Sequence, residues 1–399
     1  MSYSEWKICK FDDICLQITD GSHLSPKSVE LGMPMASVKD MKEYNFDINN
    51  CRKISKEDYL KLVKNNCKPN INDVLLAKDG NTYLDSSFVM TKEEDIVILS
   101  SIAILRPNIN MVLPEYLNYF LKDKRNKQYI KDNFGSGSAI PRIVLRDIKK
   151  IPILLPTLYE QNDIVNKLIA IDNKIKLNNE MNKTLEEMAQ AIFKSWFVDF
   201  VPFKDGEFEE SELGMIPKGW KISLLKDISK ITMGQSPSSE TYNECMEGLA
   251  FYQGVKDFTD RFPLVSTYCR EPKKVAMPGE ILLSVRAPVG RINISMEKCC
   301  IGRGCAALSS EKHGNGFLYY LLKNIRWDKY ESGTVFTSIK KSDIENYKVI
   351  LPNVEVIKKF NKIINSLDNR ILNNSVQTRD LEETRDILLP KLISGEIQI

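Results

Sequence analysis

The chain has 399 residues, 43% of them hydrophobic, with 56 basic against 53 acidic side chains and a formal net charge of +3. That is a soluble globular composition with room for two to four domains, and no apolar run approaches the roughly 18 to 20 residues that span a bilayer. The N-terminus lacks a signal peptide's basic start and apolar core, and the nine cysteines lack paired spacing, so free thiols in a reducing cytoplasm are expected.

From Trp6 to about Ile153 the chain is strand-rich and punctuated by Gly and Pro, with residues 96–105 and 151–155 reading as buried strands. Residues 113–129 look like a helix with Pro114 near its start. Polar loops interrupt the strands. The first carries Ser22, His23 and Lys27, a second Lys39, a third Lys78 and Asn81, and a Gly-rich fourth Ser138 and Arg142. A long helix follows from about Leu158 to Phe197. Ile164, Leu168, Ile171 and Ile175, then Leu185, Ala189, Ile192 and Trp196, step by four and three, with Asn178 and Asn182 between them. That is a heptad seam. Phe193 and Trp196 are expected to close its end against a domain.

Residues 201–217 are acidic, bear Gly and Pro, and read as a linker. A second strand-rich block then opens on Trp220-Lys221-Ile222, echoing Trp6-Lys7-Ile8, and both tryptophans are expected in cores. Val255-Lys256-Asp257 echoes Val38-Lys39-Asp40. Gln235 and Ser236 lie in a loop after Gly234, Arg286 and Arg291 flank a Pro-Gly turn, and Arg303 sits between two glycines. Thr334 and Ser338 match the Gly-rich loop of the first block. A second heptad helix runs from about residue 354 to 392 through Phe360, Ile364, Leu367, Ile371, Asn374, Leu381 and Leu388.

The ending of each half is the same segment repeated at a spacing of 196. Ile143, Asp147, Ile148, Leu155 and Pro156 fall on Ile339, Asp343, Ile344, Leu351 and Pro352. Asp172-Asn173 and Leu185-Glu186 fall on Asp368-Asn369 and Leu381-Glu382. A period this long means two domain-sized halves related by a pseudo-two-fold. Two apolar stripes cover each other best when the helices pair. In an antiparallel pair Asn178 and Asn374 would meet near the crossing and fix its register. Two blocks held by a rigid spacer suit a protein that touches two sites on an extended partner such as duplex DNA.

No P-loop, dinucleotide fingerprint, nucleophile elbow or zinc-protease motif occurs, so no catalysis is expected of this chain. Cys299, Cys300 and Cys305 lack the spacing of a metal site, and no metal or cofactor is expected. Gly lets backbone approach a phosphate, and Arg offers a fork to phosphate or guanine. Each loop taken alone reads as a solvated turn. Their weight lies in recurring in both halves with different residues.

The sequence resembles the specificity subunits of type I restriction–modification systems. The resemblance rests on Trp-Lys-Ile at each block's start, the Gly-rich loop before Pro141, the run from Leu145 to Pro156, and Glu160-Gln161 at the helix entry. The stretches from Leu185 to Phe197 and Leu381 to Glu396 complete it. It departs at 353–357, where the second helix entry has neither the usual proline nor Glu-Gln.

The resemblance implies an α+β chain with two α/β target recognition domains, at 1–155 and 218–352. A long antiparallel coiled coil of two helices, at 156–200 and 353–399, separates them, with the linker at 201–217. It also implies that each recognition domain reads one half of a bipartite DNA target. Two methyltransferase subunits using S-adenosylmethionine, and motor–nuclease subunits using ATP and Mg, would do the chemistry. Two alternatives stay open: a related system with a fused methyltransferase–nuclease partner, and a coiled-coil scaffold that binds only proteins.

Overall fold

The structure, a computed structural model, describes residues 6–136, 140–330 and 338–397, excepting the side chains of 328 and 330. Ser138 and Thr334 lie outside the described residues. The chain divides into two compact units: Met1–Asn178 with Val376–Ile399, and Asn179–Ser375.

The first unit is built on a four-stranded antiparallel sheet, ordered Cys15–Asp20, Ile102–Pro107, Val74–Ala77, Ser87–Val89. All four residues of Val74–Ala77 are buried, as expected of an apolar run covered on both faces. A second sheet joins Arg52–Ile54 to Met33–Ala36, which pairs in parallel with Val97–Ile98. The expected strand over 96–105 is thus two strands, one in each sheet, divided by a turn. Lys7–Lys10 pairs with Pro152–Leu155 at the domain's base. The second unit repeats the scheme. Its four-stranded sheet runs Lys230–Met233, Cys305–Ser309, Ile281–Ser284, Ile292–Ile294, and Leu249–Tyr252 pairs in parallel with Cys299–Ile301. Lys221–Leu224 and Lys348–Leu351 form its base. Cys299 and Cys300, adjacent on one strand, face different cores, which is why neighbours in sequence cannot share a metal here.

Both heptad segments fold as 40-residue helices, Leu158–Phe197 and Val354–Ile393. Each contributes its halves to different units, and within each unit the two pair antiparallel. In the first, Ile164, Val165 and Leu168 share a core with Leu389, Leu392 and Ile393. Asn178, fully buried, donates to Gln377 and Thr378 at 3.0 and 3.4 Å. In the second, Ala189, Phe193 and Phe197 pack with Ile357, Phe360 and Ile364, while Asn374 donates to Asn182 at 2.9 Å. The 178–378 and 374–182 contacts are each other's images at the repeat spacing.

Two expectations change. Residues 113–129 form two helices, Pro114–Lys122 and Lys124–Phe134. Asp123 breaks the run because its carboxylate caps the second helix, accepting from Arg125 N at 2.9 Å. The stretch read as a linker holds an antiparallel hairpin, Phe208–Ser211 with Gly214–Pro217, and Phe203 packs on Trp220 at 5.1 Å between ring centroids. Trp220 is buried and Trp6 half-buried.

Candidate nucleic-acid interface

In the second unit the loops at one end of the main sheet form a single hydrogen-bonded cluster. Gly234 leaves strand Lys230–Met233 with its N–H on Cys305 O at 2.9 Å. A Cβ there would stand 2.2 Å from Gly302 O, so only glycine permits the approach. Gln235 N then donates to Ile301 O at 3.0 Å, and Arg303 N to Ser236 Oγ at 3.2 Å. Gly302 N reaches Tyr252 O, Val285 N reaches Gly304 O, and Ile339 N reaches Val285 O, each at 2.9 Å. Arg286 pairs through its backbone with Ser338. Gln235, Ser236, Arg286, Arg303 and Ser338 therefore share one rim. All but the half-buried Ser236 are exposed.

Arg291 lies at the far end of the 284–291 turn, which Ser284 ties by accepting from Arg291 N at 2.8 Å and donating to Pro288 O at 2.9 Å. Lys256 is exposed on the short turn Val255–Asp257, directly after the rim. Gln253, exposed beside Gly302 and Gly304, joins the rim without having been anticipated. Its position two residues before the echoed Val255-Lys256-Asp257 was the available signal.

The first unit builds the same frame. A Cβ on Gly21 would stand 2.1 Å from Ile98 O, as at Gly234. Ser22 N donates to Ile98 O at 2.8 Å, Lys78 N to Ser101 O at 2.9 Å, Gly80 N to Pro141 O at 3.0 Å and Ile143 N to Lys78 O at 2.9 Å. Asp79 pairs by backbone with Arg142, at the place where the second unit pairs Arg286 with Ser338. The backbone is conserved between halves and the charges are not. His23, Lys27, Lys39, Asn81 and Arg142 are exposed.

Two expected contacts are otherwise occupied. Lys78 is buried, with its ammonium 3.2 Å from both Asp20 and Asp79, and ties the loops together instead of presenting a free cation. Ser22 is buried in a turn, its hydroxyl exchanging bonds with Leu24 N and O. A lysine between two aspartates in folded space could not be read from the sequence, where Asp20 and Lys78 stand 58 positions apart.

Each frame is anchored to the helices by the residues that recur. Tyr119 donates to Asp172 at 2.7 Å, and Tyr320 to Asp368 at 2.9 Å. The third partner differs. Asp172 takes Arg385 of the C-terminal helix at 3.1 Å, whereas Asp368 takes Arg261 of a recognition loop at 2.6 Å. Arg261 also binds Glu186 and stacks 4.5 Å over Tyr319, and Lys323 reaches Glu186 at 2.7 Å. Burial alone would raise the Glu186 carboxyl; Arg261 and Lys323 outweigh it and hold it below its ordinary range. At the helix entry, Thr157 and Glu160 form a capping box, and buried Gln161 accepts from Leu113 N and donates to Met111 O. The second helix lacks that Gln. One turn on, Asn361 takes over, accepting from Phe317 N at 3.0 Å and donating to His313 O at 2.7 Å. Phe193 closes the helix end against Phe317 of the recognition domain, as expected, and both Phe193 and Trp196 pack on Phe360 of the second long helix. Among the described residues no group of His, Cys, Asp or Glu could hold a metal ion, and no helix is long and apolar enough to cross a membrane.

A family model described as the type I restriction modification DNA specificity domain matches twice, over residues 3–187 and 217–382. A Methanocaldococcus jannaschii chain assigned to the MjaX type I restriction enzyme as specificity subunit is 31% identical, covering 99% of this chain and 94% of its own. The HindI specificity subunit of Haemophilus influenzae is 26% identical over 78% of this chain and 83% of its own. Among solved structures, the type I S subunit from M. genitalium aligns with a TM-score of 0.61 at 17% identity, over 97% of this chain and 96% of that one, a likeness of fold.

Proposed function

The chain belongs to the family of type I restriction–modification DNA specificity subunits, and we propose that each of its two units reads one half of an interrupted duplex target. The observation that carries this is the doubled loop frame: one backbone arrangement, two sets of exposed side chains. Arg286, Arg303, Gln235 and Gln253 on one rim, and Arg142, Asn81, His23 and Lys39 on the other, offer donors suited to base edges and phosphates. Neither set matches the other, as two readers of unlike half-sites require. The helices, each continuous from one unit into the other, determine on this reading how many base pairs separate the half-sites.

The chain then supplies the address and no chemistry. Methyltransferase subunits that dock on the helices modify adenines with S-adenosylmethionine after flipping the base out of the stack. Motor–nuclease subunits add ATP- and Mg-dependent cleavage. Mapping methylated adenines in cells carrying this chain and its methyltransferase tests the proposal. A single bipartite, interrupted motif that disappears when the chain is deleted is expected. Methylation without a motif, or unchanged by the deletion, overturns it and returns the chain to a protein-binding scaffold.

A further inference from the structure

In the second unit a single buried guanidinium joins a reading segment to both long helices. Residues 253–267 connect strand Leu249–Tyr252 to strand Tyr268–Cys269 and carry the exposed Gln253 and Lys256 at the rim. Further along the same segment Arg261 turns inward and is only 6% exposed. One nitrogen of its fork binds Glu186 of the first long helix, and the other lies 2.6 Å from Asp368 of the second. The guanidinium also donates to the Tyr320 hydroxyl at 3.0 Å and covers the Tyr319 ring at 4.5 Å.

The stretch between Arg261 and the rim is tied closely enough to carry a position. Asp257, next to Lys256 in sequence, accepts from Ser266 Oγ at 2.5 Å, and its backbone carbonyl accepts from Leu264 N at 2.8 Å. Thr259 exchanges two hydrogen bonds with the Asn293 amide, at 3.0 and 2.8 Å, and Arg261 O accepts from Ile294 N at 2.8 Å. The segment is thereby closed on itself and seated on strand Ile292–Ile294, with the Arg261 side chain as its fastening to the helices.

The first unit fastens the matching segment with the opposite polarity. Counted from the echoed Val38-Lys39-Asp40, Glu43 and Tyr44 stand where Asp260 and Arg261 do. There the helix supplies the cation: Arg385 lies 3.1 Å from Asp172 and 3.9 Å from the exposed Glu43. An exposed pair at that distance holds little.

A buried ion pair adds little net stability over an apolar filling, so stability alone does not account for Arg261. We infer that Arg261 is a positioning residue for the second half-site: enclosed by its partners, it acts through the segment and fixes where Gln253 and Lys256 meet the duplex. Discrimination between bases needs donors held to within about 0.5 Å, which a fork braced on two helices provides. The inference rests on the reading of the rim as a DNA reader.

The test uses the chain assembled with its methyltransferase subunits and duplexes altered in either half of the mapped target. The second unit's half is the one whose preference relaxes in Arg286→Ala. The quantity read is the ratio of affinities for cognate and altered duplex at fixed salt. Loss of folded protein lowers both affinities alike and leaves that ratio unmoved, so the ratio separates positioning from stability. Arg261→Lys keeps the charge but not the fork; its ratio should fall by roughly fivefold or more for the second half-site and stay within about twofold for the first. Arg261→Met carries the same expectation and covers a lysine variant that misfolds. Gln253→Ala should lower the second ratio in the parent chain, yet add less than about twofold to the loss in Arg261→Lys, because the two act as one unit. Unchanged ratios in the Arg261 variants, equal losses in both halves, or a Gln253→Ala loss that is absent in the parent or persists in full beside Arg261→Lys overturns the positioning role. A parent complex that discriminates neither half-site overturns the reading of the rim, and the positioning role with it.

Discussion

Glu186 shows how much a single carboxylate can hold in this fold. It accepts from Arg261, Lys323 and Tyr319 while mostly enclosed, so removing its charge leaves Lys323 without its acid and Arg261 with Asp368 alone. Glu186→Gln is expected to destabilise the second unit by about 1–3 kcal/mol at neutral pH. Its folded pKa lies below the ordinary 4.5, so the stabilisation is complete above that value and is lost as the pH falls through the folded pKa. Denaturant titrations of the two proteins should therefore converge on acidification. A constant gap would mean that Glu186 carries no charge in the fold. At the rim the expectation is of another kind. The Arg286 and Arg303 side chains are exposed and bond no other described residue, so Arg286→Ala or Arg303→Ala should leave stability alone and weaken target binding by about 1–3 kcal/mol. Competition with duplexes altered in one half-site, at fixed salt, should show relaxed preference in that half only. Unchanged affinity would demote both loops to turns.

The helix pair gives an element-scale prediction. Asn182 and Asn374 bond each other in the second unit, and Asn182 also donates to Ser375 at 3.0 Å. Asn374→Leu deprives Asn182 of a partner and should cost about 1–3 kcal/mol. Adding Asn182→Leu should recover most of that, because two facing leucines restore an apolar seam. Thermal unfolding of the four proteins in a double-mutant cycle measures the coupling. Additive losses would mean that the asparagines are tolerated, not paired. These helices were legible in the sequence to within a residue because a 3.5-residue apolar period over 40 positions has no other reading. The shorter elements were less so. Asp123 splits a helix with one capping bond, and the 96–105 run hides a change of sheet. The rims were legible as loops, but Lys78 was not legible as a strut, since its two aspartates converge only after the sheet has formed.

For the whole molecule, the division into units decides what can be exchanged. Each unit takes its strands from one stretch of chain and a half of each long helix, and both recognition domains share one repeated tether to the helices, Tyr119–Asp172 and Tyr320–Asp368. A substitute domain that keeps that tyrosine and the Leu113 backbone partner of Gln161 meets the same anchors. Replacing residues 1–155 with the matching segment of another family member should therefore give a folded chain in which one half of the target changes and the other is retained. Methylation mapping before and after the exchange reads both halves at once. Retention of both half-sites would mean that the first rim reads no bases. Loss of both would mean that the units are not independent readers, since Arg261 and Arg385 secure Asp368 and Asp172 each within its own unit.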